Sequence, residues 1–386
     1  MANILIAGQK HLSIPNMPRN SKHTIIRPKP FPSGRYPLEK IWRPLRSFSY
    51  CKPTWNKYHV VHAFNSIQYT NKPWLVTFED HLFLYINPQN KFEAATYDFL
   101  NNRLTLENCK KLIAISDYAK MRFIKRMEVS NILDKIVNKL DVIPPHFPVK
   151  VSQHKTYNSE NKIQLTFVGN HFARKGGIVA LRLAKKAEKM GLPITIHIIS
   201  ELRYGLGVPT DFPDKDKYAE DLKLLDLNNV IFHNKISNEK VLELLSESHF
   251  QILATLHDTY GYSILEGFSV ATPAITTNIC ALPEFIRHQE NGYLLHLETN
   301  ELRHWKDWQH GEKLKTEEYW NVLNSTYENL ADQALQLIIE FLDRPDKREH
   351  YEFLSAEALA QAENVHNSQK QNELFDNLYA ELAGEY

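Results

Sequence analysis

Two short stretches of the chain carry residue types whose spacing could do chemistry. Residues 165–177 read LTFVGNHFARKGG. An apolar run ends at Gly169, Asn170 follows, and Arg174 and Lys175 stand just before Gly176 and Gly177, where a helical pattern begins. Glycine lets the backbone come close to a ligand. A helix start offers unpaired N–H groups and partial positive charge. Two full cations add what a diphosphate would need. The plainer reading is a strand–turn–helix joint that uses lysine and glycine for turning and solubility.

Residues 257–276 read HDTYGYSILEGFSVATPAIT. Asp258 falls in a loop after an apolar strand, and Glu266 comes eight positions later on the following helix. Gly261, Tyr262 and Ser263 make a glycine-containing turn at that helix start, able to donate N–H groups to a phosphate or sugar hydroxyl. Asp258 can accept from sugar hydroxyls, and Glu266 from a ribose diol. Asp258 also reads as a turn or capping residue, and Glu266 as a first-turn residue complementing the helix dipole. A third cluster, Glu79, Asp80 and His81 in LVTFEDHLF, closes a predicted strand, where an open α/β sheet takes its ligands. It reads equally as a strand-ending polar turn. His62, on an apolar strand, reads as a satisfied core histidine.

Apolar runs alternate with helical patterns along the chain, which predicts parallel sheets with crossover helices. First-half strands are expected at Ile4–Ala7, Tyr58–His62, Trp74–Phe78 and Lys111–Ile115, with Ser116 and Asp117 capping a helix over Tyr118–Met127. Pro144 and Pro145 stop a short strand near Leu140, and a polar linker follows. A second series runs from Ile163–Val168 through helix Gly177–Met190, strand Ile194–Ile199, helix Lys217–Leu225, strand Val230–Phe232, helix Asn238–Ser246, strand Phe250–Leu253 and helix Ser263–Val270 to strand Ala274–Thr276. Beyond Asn300 the chain reads as largely helical, with Trp305, Trp308 and Trp320 in an insertion-like stretch. The domain expectation is 1–148 and 149–368, with a last helix at about 369–386 packing back on the first domain.

The chain has 386 residues, 43% hydrophobic and 24% charged, with net charge +1, which does not suit a nucleic-acid binder. No apolar run is long enough for a transmembrane helix, and the N-terminus reads as a strand rather than a signal peptide. Cys51, Cys109 and Cys280 form neither a disulfide framework nor a zinc pattern, which fits a reducing cytosol. Before Glu79 the only acidic residue is Glu39, while Lys10, Arg19, Lys22, Arg27, Lys29, Arg35, Lys40, Arg43 and Arg46 accumulate. That surface suits an anionic membrane face or an acidic acceptor, or is simply a solvated loop region.

Taken together, VGNHFARKG, Asp258-TYGYSIL-Glu266, TPAITTNICALPEFI and ENGYLL resemble, in order, the conserved blocks of glycosyltransferase family 4, of the GT-B fold. The resemblance covers about residues 140–300; KYHVVHAFN and KKLIAISDYAK extend it more weakly into the first half. It implies two Rossmann-like domains facing a central cleft, and a retaining transferase that takes a nucleotide-diphospho-sugar as co-substrate without a metal or other cofactor. Lys175 and Arg174 then meet the donor diphosphate and Asp258 the transferred sugar, as the catalytic group. Gly169, Asn170, Gly261, Tyr262, Ser263 and Glu266 hold the donor, Glu266 through the ribose. Glu79, Asp80 and His81 stand on the acceptor side. The acceptor is expected to be a glycan or lipid-linked, in surface polysaccharide assembly, with the protein cytoplasmic or peripheral at the inner face of the membrane. Four positions depart from the pattern: Asn170 replaces an arginine, Asp258 a glutamate and Phe64 a second histidine, and only Gly8 marks the place of a glycine-rich loop. The alternative is a non-catalytic sugar or nucleotide-sugar binding protein of the same fold. An oxidoreductase is disfavoured because no G-x-G-x-x-G follows a strand. Asp214 and Asp216, the one hint of a metal site, read as a solvated loop.

Overall fold

Strands that are apolar at nearly every position must be buried on both faces, which a helix-covered parallel sheet provides. The structure, a computed structural model, describes residues 1–27, 48–49, 57–79, 82, 90–128, 130–157, 162–309 and 311–384. It divides into two units: Met1–His146 with His366–Tyr386, and Phe147–Val365.

The first unit holds strands Asn3–Gly8 (β1), Thr24–Ile26 (β2), Val60–Phe64 (β3), Trp74–Phe78 (β4), Cys109–Ala114 (β5) and Leu140–Val142 (β6). They pair in parallel in the order β2-β1-β3-β4-β5-β6. Helix Lys91–Thr105 (α1) is capped by Asn90, and helix Asp117–Met127 (α2) by Ser116, whose hydroxyl accepts from the Ala119 amide at 3.0 Å. The helical period does not announce α1, because Phe92 and Phe99 lie on its exposed side while Glu93 and Arg103 are buried. His62 is the core histidine expected. Its ring bonds the Tyr379 hydroxyl at 2.7 Å and Thr77 Oγ1 at 2.8 Å, and burial pulls its pKa down to about 3. Phe64 stacks on it, fully buried. Tyr379 comes from helix Ser368–Ala383, whose Asp376 also accepts from Ser21 Oγ at 2.5 Å and the Lys22 amide at 2.8 Å.

The second unit holds strands Ile163–Val168 (β7), Ile194–Ile199 (β8), Val230–His233 (β9), Phe250–Leu253 (β10), Ala274–Thr277 (β11) and Gly292–Leu295 (β12). Between them come helices Gly177–Lys189 (α3), Asn238–Glu247 (α4) and Tyr262–Phe268 (α5), and after them Glu317–Asp343 (α6) and Lys347–Asn364 (α7). The order is β9-β8-β7-β10-β11-β12, all parallel. The chain winds outward from β7, then returns to β10 on the other side. Such a sheet binds ligands beyond the carboxyl ends of its strands, at that switch point. The helix expected over Lys217–Leu225 is instead a short α-turn, Ala219–Leu222, between two 3-10 turns. Among the described residues no helix is long and apolar enough to cross a membrane. Cys109 and Cys280 are buried; Cys51 lies outside the described residues.

Candidate active site

The loops leaving β7 and β10 meet at the switch point of the second sheet. Gly176 makes the meeting possible. It sits at φ +87°, and a Cβ there would lie 2.2 Å from the Ala254 carbonyl oxygen. The approach is fixed by the Arg174 carbonyl, which accepts from Thr255 Oγ1 at 2.9 Å and the Leu256 amide at 3.3 Å. Thr255 is in turn held through its own carbonyl by Thr277 Oγ1 at 2.7 Å. Helix α3 therefore starts at Gly176 with no capping side chain; the Gly177 amide is taken by the Phe172 carbonyl at 2.8 Å and the Gly176 amide by the Ala173 carbonyl at 3.1 Å.

This frame brings Lys175, Arg174 and Asp258 together. Lys175 Nζ donates to Asp258 Oδ2 in a direct ion pair. The other carboxylate oxygen of Asp258 accepts from the Gly261 amide at 3.0 Å and the Tyr260 amide at 3.3 Å. Asp258 is 3% exposed. Burial alone would lift its pKa, but the charge and hydrogen bond of Lys175, the charge of Arg174 and the Gly261 amide outweigh it, and the pKa falls below the usual carboxylate range. Among the described residues Arg174 Nε is buried without a hydrogen-bond partner. An unsatisfied guanidinium N–H is costly, and an acceptor brought to it would relieve that cost. Burial, then the charges of Arg174, Lys175 and Arg203, lower the pKa of the neighbouring His171.

Gly261 begins α5 at φ +84°, and Tyr260 stacks flat on Phe285 at 5.0 Å. Tyr262 and Ser263 are half-buried at the start of the same helix. Glu266, one turn further on, stands apart from the Lys175–Asp258 pair: it accepts from Asn238 Nδ2 at 2.8 Å, at the start of α4. Burial pushes its pKa up to about 7, against the lowering effect of Asn238. Asn170 is exposed and works through the neighbouring loop, since its side chain accepts from the Glu201 amide at 3.1 Å and its carbonyl from the Arg203 amide at 2.9 Å. The half-buried Gly169 carbonyl accepts from Ser200 Oγ at 2.7 Å.

Sequence reasoning missed several contributors. Asn238 reads as an ordinary helix start. Arg203 hands its carbonyl to the Phe172 amide at 2.7 Å and so closes the loop after β7. Asp211 is fully buried, accepts from the amides of Gly205 and Leu206, and feels the charge of Arg174. Trp308 stacks on His257, next to Asp258, with 5.3 Å between ring centroids. No local spacing signals these residues; they arrive through tertiary contact. Asp214 caps the 3-10 turn Lys215–Tyr218 through the Asp216 amide. A cavity of about 770 Å³ between α3 and α6 plays no part, because its charges are spent on one another, as in Arg182–Asp221 and Lys186–Asp332. In the first unit Glu79 lies 3.8 Å from His11; Asp80 and His81 lie outside the described residues.

Residues 150–302 match the family model for glycosyl transferases group 1. The matched stretch lies within the second unit. All of Gly169, Asn170, Arg174, Lys175, Asp258 and Glu266 fall inside the matched stretch. The phosphatidylinositol N-acetylglucosaminyltransferase GPI3 subunit of Saccharomyces cerevisiae is 24% identical over 207 residues, 52% of this chain and 43% of that protein. The chain thus spans less than half the length of the yeast relatives it matches. N-acetyl-alpha-D-glucosaminyl L-malate synthase of Bacillus anthracis is 31% identical over 98 residues, 25% of each protein. A glycosyltransferase from Rickettsia africae superposes with a TM-score of 0.58 at 13% identity, covering 100% of this chain and 99% of its own. HepE of Anabaena, solved with UDP, gives 0.57 at 14% identity, covering 99% and 100%. The likeness to these solved structures establishes the GT-B fold: two parallel six-stranded sheets with flanking helices.

Proposed function

We propose that the chain is a retaining glycosyltransferase of family 4. It moves a sugar from a nucleotide-diphospho-sugar, bound by residues 149–368, to a glycan or lipid-linked acceptor received by residues 1–148. The observation that carries the reading is the Lys175–Asp258 ion pair, with the unpartnered Arg174 Nε close by, at the switch point of a doubly wound sheet. Negative charge builds on the diphosphate as its bond to the sugar breaks, and prearranged cations facing that charge are the largest electrostatic aid a protein gives such a step. Lys175 and Arg174 supply them. Asp258 holds the ammonium in place, and accepts from hydroxyls of the transferred sugar. Glu266 accepts from the ribose diol. The backbone around Gly261, Tyr262 and Ser263, with Gly169 and Asn170 opposite, completes the donor cradle.

Retention fits same-face attack. The acceptor oxygen bonds to the anomeric carbon as the bond to the diphosphate breaks, and the departing phosphate oxygen receives the acceptor's proton. This route uses neither a protein nucleophile nor a metal. Glu79, with Asp80 and His81, stands on the acceptor side.

HepE was solved with UDP, and two relatives are named for N-acetylglucosaminyl chemistry, which makes UDP-sugars the first donors to try. A role in surface polysaccharide assembly at the cytoplasmic face of a membrane fits the basic N-terminal stretch. Lys10, Arg19, Lys22 and Arg27 of that stretch are described; Lys29, Arg35, Lys40, Arg43 and Arg46 lie outside the described residues. A thermal-shift screen against UDP-, GDP- and ADP-sugars, followed by product analysis with NMR of the anomeric proton, tests the proposal. Stabilisation by one nucleotide class, with transfer or hydrolysis that keeps the anomeric configuration, is expected. No stabilisation by any class sinks the donor site. Stabilisation without transfer or hydrolysis leaves a sugar-nucleotide binding protein.

A further inference from the structure

The loop that leaves β7 carries a histidine in the midst of its cations. His171 is tied into that loop from both sides. Its carbonyl accepts from the Lys175 amide at 2.9 Å, which closes the turn. Arg203, in the loop after β8, meets it as an isolated parallel bridge. The Arg203 amide donates to the Asn170 carbonyl at 2.9 Å, and its carbonyl accepts from the Phe172 amide at 2.7 Å. The half-buried ring therefore has a fixed place among Arg174, Lys175 and Arg203, each of which opposes its protonation.

Carboxylates stand close to the same cations. Asp258 takes the Lys175 ammonium and Glu201 the Arg203 guanidinium, with Lys235 3.7 Å from Glu201; the buried Asp211 feels Arg174. Burial and the cations still prevail, and the His171 pKa lies below its ordinary value. Among the described residues His171 Nδ1 is buried with no hydrogen-bond partner, as is Arg174 Nε three residues on. A neutral imidazole carries one N–H, and a protonated one carries N–H at both nitrogens. Acceptor oxygens brought to this loop relieve the cost of both atoms. Negative charge brought with them favours the protonated ring.

We infer that His171 takes up a proton from solvent when a nucleotide-diphospho-sugar binds, and so enters the complex as a further cation against the diphosphate. This rests on the donor reading above. The proton makes a second N–H on the ring, and no bond of the ligand forms or breaks. As the sugar departs, charge grows on the phosphate and holds that proton more firmly. The leaving group is thus met by a charge that the free site does not carry. Protonation and donor binding strengthen one another by the same factor. Glu266 responds with the opposite sign, because a ribose diol favours its ionised form.

NMR of the histidine Cε1–H signals, with His171 assigned by its loss in His171→Gln, follows the ring in the whole chain. UDP-glucose, GDP-mannose and ADP-glucose are the probes, since their diphosphates are diesters and do not titrate near neutrality. The bound ring is expected to hold its proton about tenfold more firmly than the free one, its titration moving up by about one pH unit. In Glu266→Gln, which removes the opposing response, affinity should tighten about tenfold as the pH falls through that interval, and stay flat when His171→Gln is added. A titration that does not move up while a probe is bound overturns the inference and leaves the donor site standing. The same rise with uridine and glucose in place of the diphosphate overturns it too. If none of the three probes binds, the donor reading falls, and the inference with it.

Discussion

The two sheets use the same parallel plan but dress their switch points differently. In the second unit the strand ends carry a buried carboxylate, Asp258, paired with the half-buried Lys175, with the half-buried Arg174 close by and Gly176 drawn onto the Ala254 carbonyl. In the first unit the rim of strand ends is tied by neutral amides, Asn65 to Gln9 and to the Glu79 backbone, and the His11 ring beside Glu79 is open to water. Buried charges act at low effective dielectric and are strong; exposed ones are screened and weak. A site built the first way suits a multiply charged diphosphate whose charge grows during reaction.

That contrast can be broken at its strongest point first. Lys175→Ala should lower turnover about 10²- to 10³-fold, the scale for losing one preorganised electrostatic group. A near-normal rate in a folded variant removes Lys175 from the reaction. Gly176→Ala should cost about 2–4 kcal/mol of stability, from the left-handed backbone and the contact with Ala254, and is read by denaturant unfolding. An unchanged unfolding midpoint would mean the two loops do not meet as described. Asn65→Ala should cost about 1–3 kcal/mol by stranding buried polar groups of the rim, without touching nucleotide affinity.

The smallest effect is the most diagnostic. Glu266 has its pKa lifted to about 7 by burial, and only the ionised form accepts two hydrogen bonds from a diol. In His171→Gln, which lacks the opposing response of the imidazole, donor affinity should therefore rise with pH through neutrality, about tenfold weaker at about pH 6 than at about pH 8. Adding Glu266→Gln should flatten that profile. Asn238→Ala removes the bond that lowers the Glu266 pKa, so it should move the profile to higher pH. A flat profile in His171→Gln alone separates Glu266 from the donor.

Much of the second unit was legible because its signals are local. Strands Ile163–Val168, Ile194–Ile199 and Phe250–Leu253 appear where the apolar runs place them. The convergence of Lys175 and Asp258 follows once β7 and β10 are neighbours, since each residue lies just past its own strand. Other features are not local. Helix α1 hides because Phe92 and Phe99 face water while Glu93 and Arg103 face inward. Asn238 meets Glu266 only because α4 packs beside α5. The approach of His11 to Glu79 depends on the registers of β1, β3 and β4, which no short window of sequence records.

Tyr379 closes the socket around His62, yet it is joined to the first unit only after the whole of Phe147–Val365 has been made. During synthesis the first sheet therefore emerges with a gap in its hydrophobic wall and a histidine lacking its phenol partner. The N-terminal unit is therefore completed by a segment that follows the C-terminal one in chain order.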